Sequence, residues 1–270
     1  MTEARLSGRG LRVGYHERTI LHELDIDIPN GSFTVIVGPN ACGKSTLLRS
    51  LARLLPPSAG TVLLDGKAIA SYSAKEVARV VGLLPQTSIA PDGITVVDLV
   101  SRGRYPHQKL LRQWSEVDEQ AVVRAMAATG VDDLAARPVD ELSGGQRQRV
   151  WVAMALAQQT PLLLLDEPTT FLDIAHQVEL LDLFARLNRG SGRTLVAVLH
   201  DLNQACRYAT HLVAMREGAI VAQGPPEEVV DADLVSAVFG VTCEVVPDPQ
   251  TGTPMIVPAG REVRRVGRGA

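Results

Sequence analysis

Gly38-Pro39-Asn40-Ala41-Cys42-Gly43-Lys44-Ser45 has the spacing of a phosphate-binding loop: a glycine, four residues, then Gly-Lys-Ser. Its flanks suit that chemistry. A run with strand character (Phe33-Thr34-Val35-Ile36-Val37) precedes it, and a run with helix character (Thr46-Leu47-Leu48-Arg49-Ser50-Leu51-Ala52) follows. Glycines let the backbone curl so that N–H groups face phosphate oxygens, and a helix N-terminus adds partial positive charge. The stretch from Gly38 to Thr46 is therefore a candidate cradle, with Lys44 reaching the β- and γ-phosphates and the Ser45 hydroxyl taking one Mg²⁺ position. The spacing predicts a nucleoside triphosphate site.

Asp166 and Glu167 end the apolar run Leu162-Leu163-Leu164-Leu165, which reads as a strand buried on both faces. Ligands of parallel α/β sheets sit outside the carboxyl ends of strands, and the glycine loop also follows a strand end. Asp166 is thus a candidate Mg²⁺ ligand, direct or through water, and Glu167 a candidate to orient or deprotonate an attacking water. His200 closes another expected strand, Thr194 to Leu199, and would hydrogen-bond the γ-phosphate and the attacking water.

Leu142-Ser143-Gly144-Gly145-Gln146 stands before a second expected helix, Arg147 to Gln158. Ser143 can cap it while glycine N–H groups stay bare, which makes a second anion-binding helix start. One nucleotide already has its cradle, so a second one far along the chain would serve a nucleotide held by another chain. Gln86, after Pro85 at a strand end, could contact Mg²⁺ or the attacking water. Tyr15, read as lying shortly before the first regular strand, could stack on adenine or be an ordinary partly buried tyrosine. Cys42 lies beside Lys44 and a helix start, conditions that favour a thiolate, so an alkylatable thiol is expected there.

The elements around these residues follow from pattern. Leu24, Ile26 and Ile28 alternate with acids, Thr61 to Leu64 reads as a strand, and Val80 to Leu84 is a short apolar run stopped by Pro85. From about Thr95 to Gln159 helical runs replace strands: Val96 to Val100, and Val117 to Thr129, which Gly130 closes. That stretch reads as a helical subdomain inserted into an α/β core, which resumes at Leu162 and continues with a helix from Ile174 to Asn188. Val213 to Val257 reads as short strands and one helix.

Bulk properties limit the function classes. With 270 residues, 46% apolar and 21% charged, the chain has the composition of a soluble globular protein. A net charge of −3 gives no general pull toward nucleic acid, and none is expected as a partner. Apolar stretches such as Trp151 to Ala157 fall far short of the roughly 20 residues of a bilayer span. Met1-Thr2-Glu3-Ala4-Arg5 lacks a signal peptide's apolar region, and three sparse cysteines suit a reducing compartment, so a cytosolic location is expected. Arg261, Arg264, Arg265 and Arg268 make the last residues basic, expected as a solvated end.

Taken together, these motifs resemble those of the ATP-binding cassette (ABC) ATPases. Leu142-Ser143-Gly144-Gly145-Gln146 matches that family's signature, and the phosphate loop, Gln86, Asp166-Glu167, Phe171-Leu172-Asp173 and His200 stand in the family's order over essentially the whole chain. The resemblance implies one α/β cassette over 1–270, a P-loop NTPase with a RecA-like core and an antiparallel β region (1–94 and 160–270). A helical subdomain with the signature would occupy 95–159. It implies ATP and Mg²⁺ as cofactors, with Ser45, Gln86 and Asp166 at the metal and Glu167, His200 and Gln86 as catalytic groups. It also implies a head-to-tail dimer with a second copy, in which Ser143 and Gly145 of one subunit contact the γ-phosphate held by the other, with Gly144 and Gln146 of the signature also at that nucleotide. Tyr15 would be the adenine-stacking aromatic and Asp173 the link between the two sites. Two departures stand out: Ala41 replaces a frequent glycine, and Phe171 replaces a frequent small residue.

A narrower likeness runs through Asp98 to His107, His200 to Ala205 and Val238-Phe239-Gly240-Val241. These segments look like ATPase subunits of bacterial iron–siderophore importers, whose close relatives serve haem and cobalamin. That likeness implies a location peripheral to the inner face of the cell membrane and a cytosolic motor that docks membrane permease subunits through residues 86–110. Arg104, Tyr105 and Pro106 would be contact residues, and a substrate-binding protein would be an indirect partner. Cassette ATPases that move nothing usually carry two fused cassettes or coiled-coil insertions, and this chain has neither.

Overall fold

The computed structural model describes residues 4–16, 18–86, 89–108 and 114–260. The basic tail from Arg261 and part of the 86–110 segment lie outside the described residues. In chain order the elements are β1 (Ala4–Tyr15), β2 (Arg18–Pro29), β3 (Phe33–Val37), α1 (Lys44–Leu51), β4 (Ala59–Leu64), β5 (Lys67–Ala68), α2 (Ala74–Val80) and β6 (Val81–Leu84). Then come α3 (Val96–Ser101), α4 (Glu116–Thr129) and α5 (Gly144–Ala157), joined by short 3₁₀ turns. The chain continues with β7 (Leu162–Asp166), α6 (Ile174–Ser191), β8 (Thr194–Val198), α7 (Leu202–Tyr208), β9 (His211–Arg216) and β10 (Ala219–Gly224). It closes with α8 (Pro226–Val229), α9 (Ala232–Phe239), β11 (Cys243–Pro247) and β12 (Pro254–Pro258).

The central sheet has the order β10-β9-β3-β8-β7-β6, parallel from β9 to β6 with β10 antiparallel at one edge. Every residue of β3, β7 and β8 is buried, as their unbroken apolar runs require of strands covered on both faces. Side chains alternate across a strand, so each of these strands feeds two cores. Val35, Leu163, Leu165 and Ala197 join the packing with α3 to α7, whereas Ile36, Leu162, Leu164 and Val196 join that with α1 and the antiparallel sheet β2-β1-β4-β5. Truncating one such leucine to alanine costs about 2–5 kcal/mol, so the sheet is a stiff platform for whatever its carboxyl edge carries.

Helix ends obey local chemistry. Ser115 and Asp118 form a capping box at the start of α4, and Gly130 ends it in the left-handed region at φ 61°. The apolar faces of α3, α4 and α5 merge with one face of the central sheet rather than forming a core of their own. Within 95–159 the described residues contain no strand, only an isolated bridge between Thr95 and Pro138.

Several expectations need correction. Tyr15 does not precede the first regular strand; it is the last residue of a twelve-residue one. Val80 belongs to α2, a helix the apolar run concealed, although Ser73 and Glu76 spell a capping box before it. The signature helix begins at Gly144, three residues earlier than expected, because Ser143 caps it, and α6 runs on to Ser191 before Gly192 stops it at φ 62°. The segment after Val213 contains two helices where one was expected.

Candidate active site

The glycine loop joins β3 to α1 by a backbone path that most residues resist. Gly38 has φ 153° and Gly43 φ 107°. A Cβ on Gly38 would fall 2.2 Å from the Met215 carbonyl oxygen, so no side chain fits. Ala41 takes φ 61° without the freedom of glycine, so the departure noted in the sequence is accommodated as local strain. Lys44 is buried, and its Nζ donates to the carbonyls of Gly38 and Pro39, each at 2.8 Å. That pins the ammonium inside the curl.

Strand β7 brings two acids alongside. Asp166 is 1% exposed; its Oδ1 accepts from the Ser45 hydroxyl at 2.7 Å, and its Oδ2 is buried with no hydrogen-bond partner. Desolvation raises its pKa, and the Ser45 hydrogen bond and the charges of Arg49 and Lys44 offset this only in part. A buried acceptor left bare is costly unless something positive or donating meets it. Ser45 and Asp166 therefore suit a hard cation that takes oxygen ligands and few protein groups.

Glu167 follows in the left-handed region at φ 54°, and its Oε1 lies 2.8 Å from His200 Nε2. Thr170 Oγ1 donates to its other oxygen at 3.3 Å. His200 is the half-exposed partner of this pair and Glu167 the covered one. The loop, Glu167 and the histidine surround one cavity of about 500 Å³, lined by Asn40, Ala41, Gly43, Lys44, Ser45, Thr46, Gln86, Glu167 and His200, with Asp166 outside the lining and bonded to Ser45. Gly38 and Pro39 stand behind this lining, with their carbonyls turned to Lys44.

Arg18 and Ile20 also line the cavity, and sequence reasoning missed them. They arrive through the β1–β2 hairpin, in which Tyr15 pairs with Arg18. Tyr15 itself is 41% exposed, lies outside that lining, and accepts a hydrogen bond from Arg49 at 3.3 Å. Cys42 also stands outside it. The thiol is 6% exposed, and burial pushes its pKa up despite Lys44. The thiolate-favouring environment expected from the sequence is not what burial provides: desolvation outweighs the nearby charge, and Cys42 faces a second cavity beside Pro39 and Arg216.

The signature turn is finished but faces elsewhere. Ser143 and Gln146 exchange capping bonds of 3.3 and 3.1 Å, and none of residues 143–146 lines the nucleotide cavity. Gly144 lines a neighbouring cavity of about 490 Å³ together with Gln86, Arg147, Trp151 and Phe171. Phe171, at φ 68° and 78% exposed, overlies the two glycines: Cβ atoms built on Gly144 and Gly145 would meet Phe171 and Leu172 at ordinary contact distance. Asp173 caps α6, accepts from the His176 amide at 2.9 Å and ring nitrogen at 2.8 Å, and has its pKa lowered mainly by that amide.

Of the expected permease contacts, Arg104 is withdrawn. It is 3% exposed, with Nε on Asp118 at 2.8 Å and Nη1 on the Ala157 carbonyl at 2.7 Å. Tyr105, 58% exposed, remains on the surface.

Known proteins match this chain closely. The family model described as ABC transporter matches residues 21–170. The ferric enterobactin transport ATP-binding protein FepC of Escherichia coli (strain K12) is 58% identical over 97% of each chain. The probable siderophore transport system ATP-binding protein YusV of Bacillus subtilis (strain 168) is 56% identical over 97% of this chain and 95% of its own. Among solved structures, the dimeric bacterial ABC transporter cassette MJ0796 superposes with a TM-score of 0.74 at 25% identity, covering 82% of this chain and 98% of its own.

Proposed function

The chain belongs to the ABC transporter family, and from that premise we propose that it is the ATP-hydrolysing motor subunit of an iron(III)–siderophore importer. The observation that carries the enzymatic part is the Glu167–His200 pair, 2.8 Å apart at the rim of the lysine-centred cradle. A carboxylate and an imidazole so placed can share the attacking water and the terminal phosphate.

In this reading Lys44 and the loop amides hold the β- and γ-phosphates, and Arg18 and Ile20 flank the nucleotide; Tyr15, exposed outside that lining and paired with Arg18 in the hairpin, would offer its ring to adenine. Ser45 and Asp166 would hold Mg²⁺, with Gln86 beside them, and the bare Asp166 Oδ2 supports that assignment. When bound, Mg²⁺ neutralises charge on the β- and γ-phosphates. Glu167 takes the proton of the attacking water, while His200 donates to the terminal phosphate.

The signature turn has its capping box formed and lies outside the cavity of its own chain's cradle. It would complete the site of a second copy arranged head-to-tail, with Asp173 near the junction. The terminal phosphate then adds charge-assisted bonds between the copies, and its loss removes them. Opening and closing would be transmitted to membrane permease subunits through residues 86–110, where Tyr105 and Pro106 are the candidates, and a substrate-binding protein would deliver the cargo to them. Among the described residues no helix is long and apolar enough to cross a membrane, so the spanning part of such a machine would be contributed by other chains.

Uptake of labelled ferric siderophores in cells with and without the gene tests the cargo. Loss of that uptake is expected. Loss of haem or cobalamin uptake instead would contradict the siderophore assignment while leaving the ATPase reading intact.

A further inference from the structure

Two loops carry the reacting side chains: the one after β7 holds Glu167 and the one after β8 holds His200. Their direct contact is the 2.8 Å pair, which has to open when either group turns to a bound nucleotide. A second link joins the same two loops. Gln177, in the first turn of α6, donates through Nε2 to the Leu172 carbonyl at 2.9 Å, and its Oε1 accepts from Gln204 Nε2 at 2.9 Å. A backbone carbonyl can only accept, so the Gln177 amide has one possible orientation, and that orientation in turn fixes Gln204. Gln204 lies in the first turn of α7, and its backbone N–H is held by the cap residue Asp201 at 3.0 Å. The amide link therefore ends on Leu172, five residues after Glu167, on one side and on Gln204, four residues after His200, on the other. It is partly buried, runs from a backbone carbonyl through two side-chain amides, and uses none of the residues that line the nucleotide cavity.

We propose that Gln177 and Gln204 are positioning residues for ATP hydrolysis: their paired amides keep the Glu167 and His200 loops in register once the direct contact opens. The inference rests on the roles given above to Glu167 and His200. Side chains of similar length without hydrogen-bonding groups separate this from packing, so Gln177→Leu and Gln204→Leu are the variants to compare. Each lowers kcat about tenfold, the scale of one or two net hydrogen bonds, with KM for ATP and the thermal midpoint held close to wild type. The double variant falls no further than the worse single one, because both break the same link. Unchanged kcat in either variant overturns the inference, as does a loss that multiplies in the double variant, or KM and thermal midpoint shifting together with kcat. Glu167→Gln, assayed alongside, keeps the two ideas apart. If it abolishes turnover while the glutamine variants do nothing, only the inference falls; if it turns over normally, the underlying reading falls and the inference with it.

Discussion

The cradle and the signature turn are both glycine-rich helix starts, yet they are built to opposite standards. The cradle closes on itself: Lys44 is tied to Gly38 and Pro39, Ser45 to Asp166, and Glu167 to His200, around one cavity. The signature turn closes only its own capping box and leaves its glycines facing Phe171 and a different cavity. A site whose groups converge on one cavity, with a buried Asp166 oxygen left bare for a ligand, can bind alone. One that is capped and lies outside that cavity would, on the proposed reading, serve another copy.

Experiments that strike one region and spare the other break or sharpen this contrast. The largest effect belongs to the cradle side: Glu167→Gln lowers steady-state ATP hydrolysis by about 10²–10⁴-fold, the scale of a lost general base, and leaves nucleotide binding in place. Gly145→Asp sets a carboxylate where a partner's phosphate would arrive, and turnover falls by about 10²–10³-fold, as for a lost oxyanion donor. ATP affinity of the isolated chain, measured by fluorescence titration, stays within about twofold because the cradle is untouched.

Support for the signature helix is tested next. Arg104 holds the far end of α5 through Ala157 and is paired with buried Asp118. Arg104→Ala strands that acid, and urea unfolding reports a loss of about 3–5 kcal/mol. Burial acts to raise the Asp118 pKa, but hydrogen bonds from Ser115 and Arg104 more than offset it, and the net shift is downward. A depressed carboxylate stabilises the fold above its unfolded pKa, near 4, and that contribution drains away as pH falls through the folded value. Asp118→Asn accordingly flattens the acid limb of the stability curve. The smallest effect is Ser143→Ala, a lost cap of about 1 kcal/mol seen in thermal unfolding.

What was legible in the sequence was local. The cradle, the acid pair and the signature each place their chemistry within eight residues; the strands before the first two are largely apolar runs, and the signature helix carries a capping signal. What escaped depends on long-range placement. Arg18 and Ile20 reach the cavity only because a hairpin folds them across from Tyr15. Arg104 looked like a surface cation until Asp118, fourteen residues on, buried it. Cys42 showed its positive neighbour in the sequence but not the packing that desolvates it. The helix before β6 was legible in Ser73 and Glu76 and was overlooked because seven residues are too few for a periodic pattern.

Mixing two disabled chains asks most directly whether one cradle and another copy's signature grip the same phosphate. Both chains carry Glu167→Gln; one adds Lys44→Ala, the other Gly145→Asp, and sedimentation with Mg-ATP reads their association. Each alone should sediment as a monomer, and the mixture as a dimer, since it alone unites an intact cradle with an intact signature. A mixture that stays monomeric while the Glu167→Gln parent dimerises, or a Gly145→Asp chain that dimerises by itself, would contradict this account.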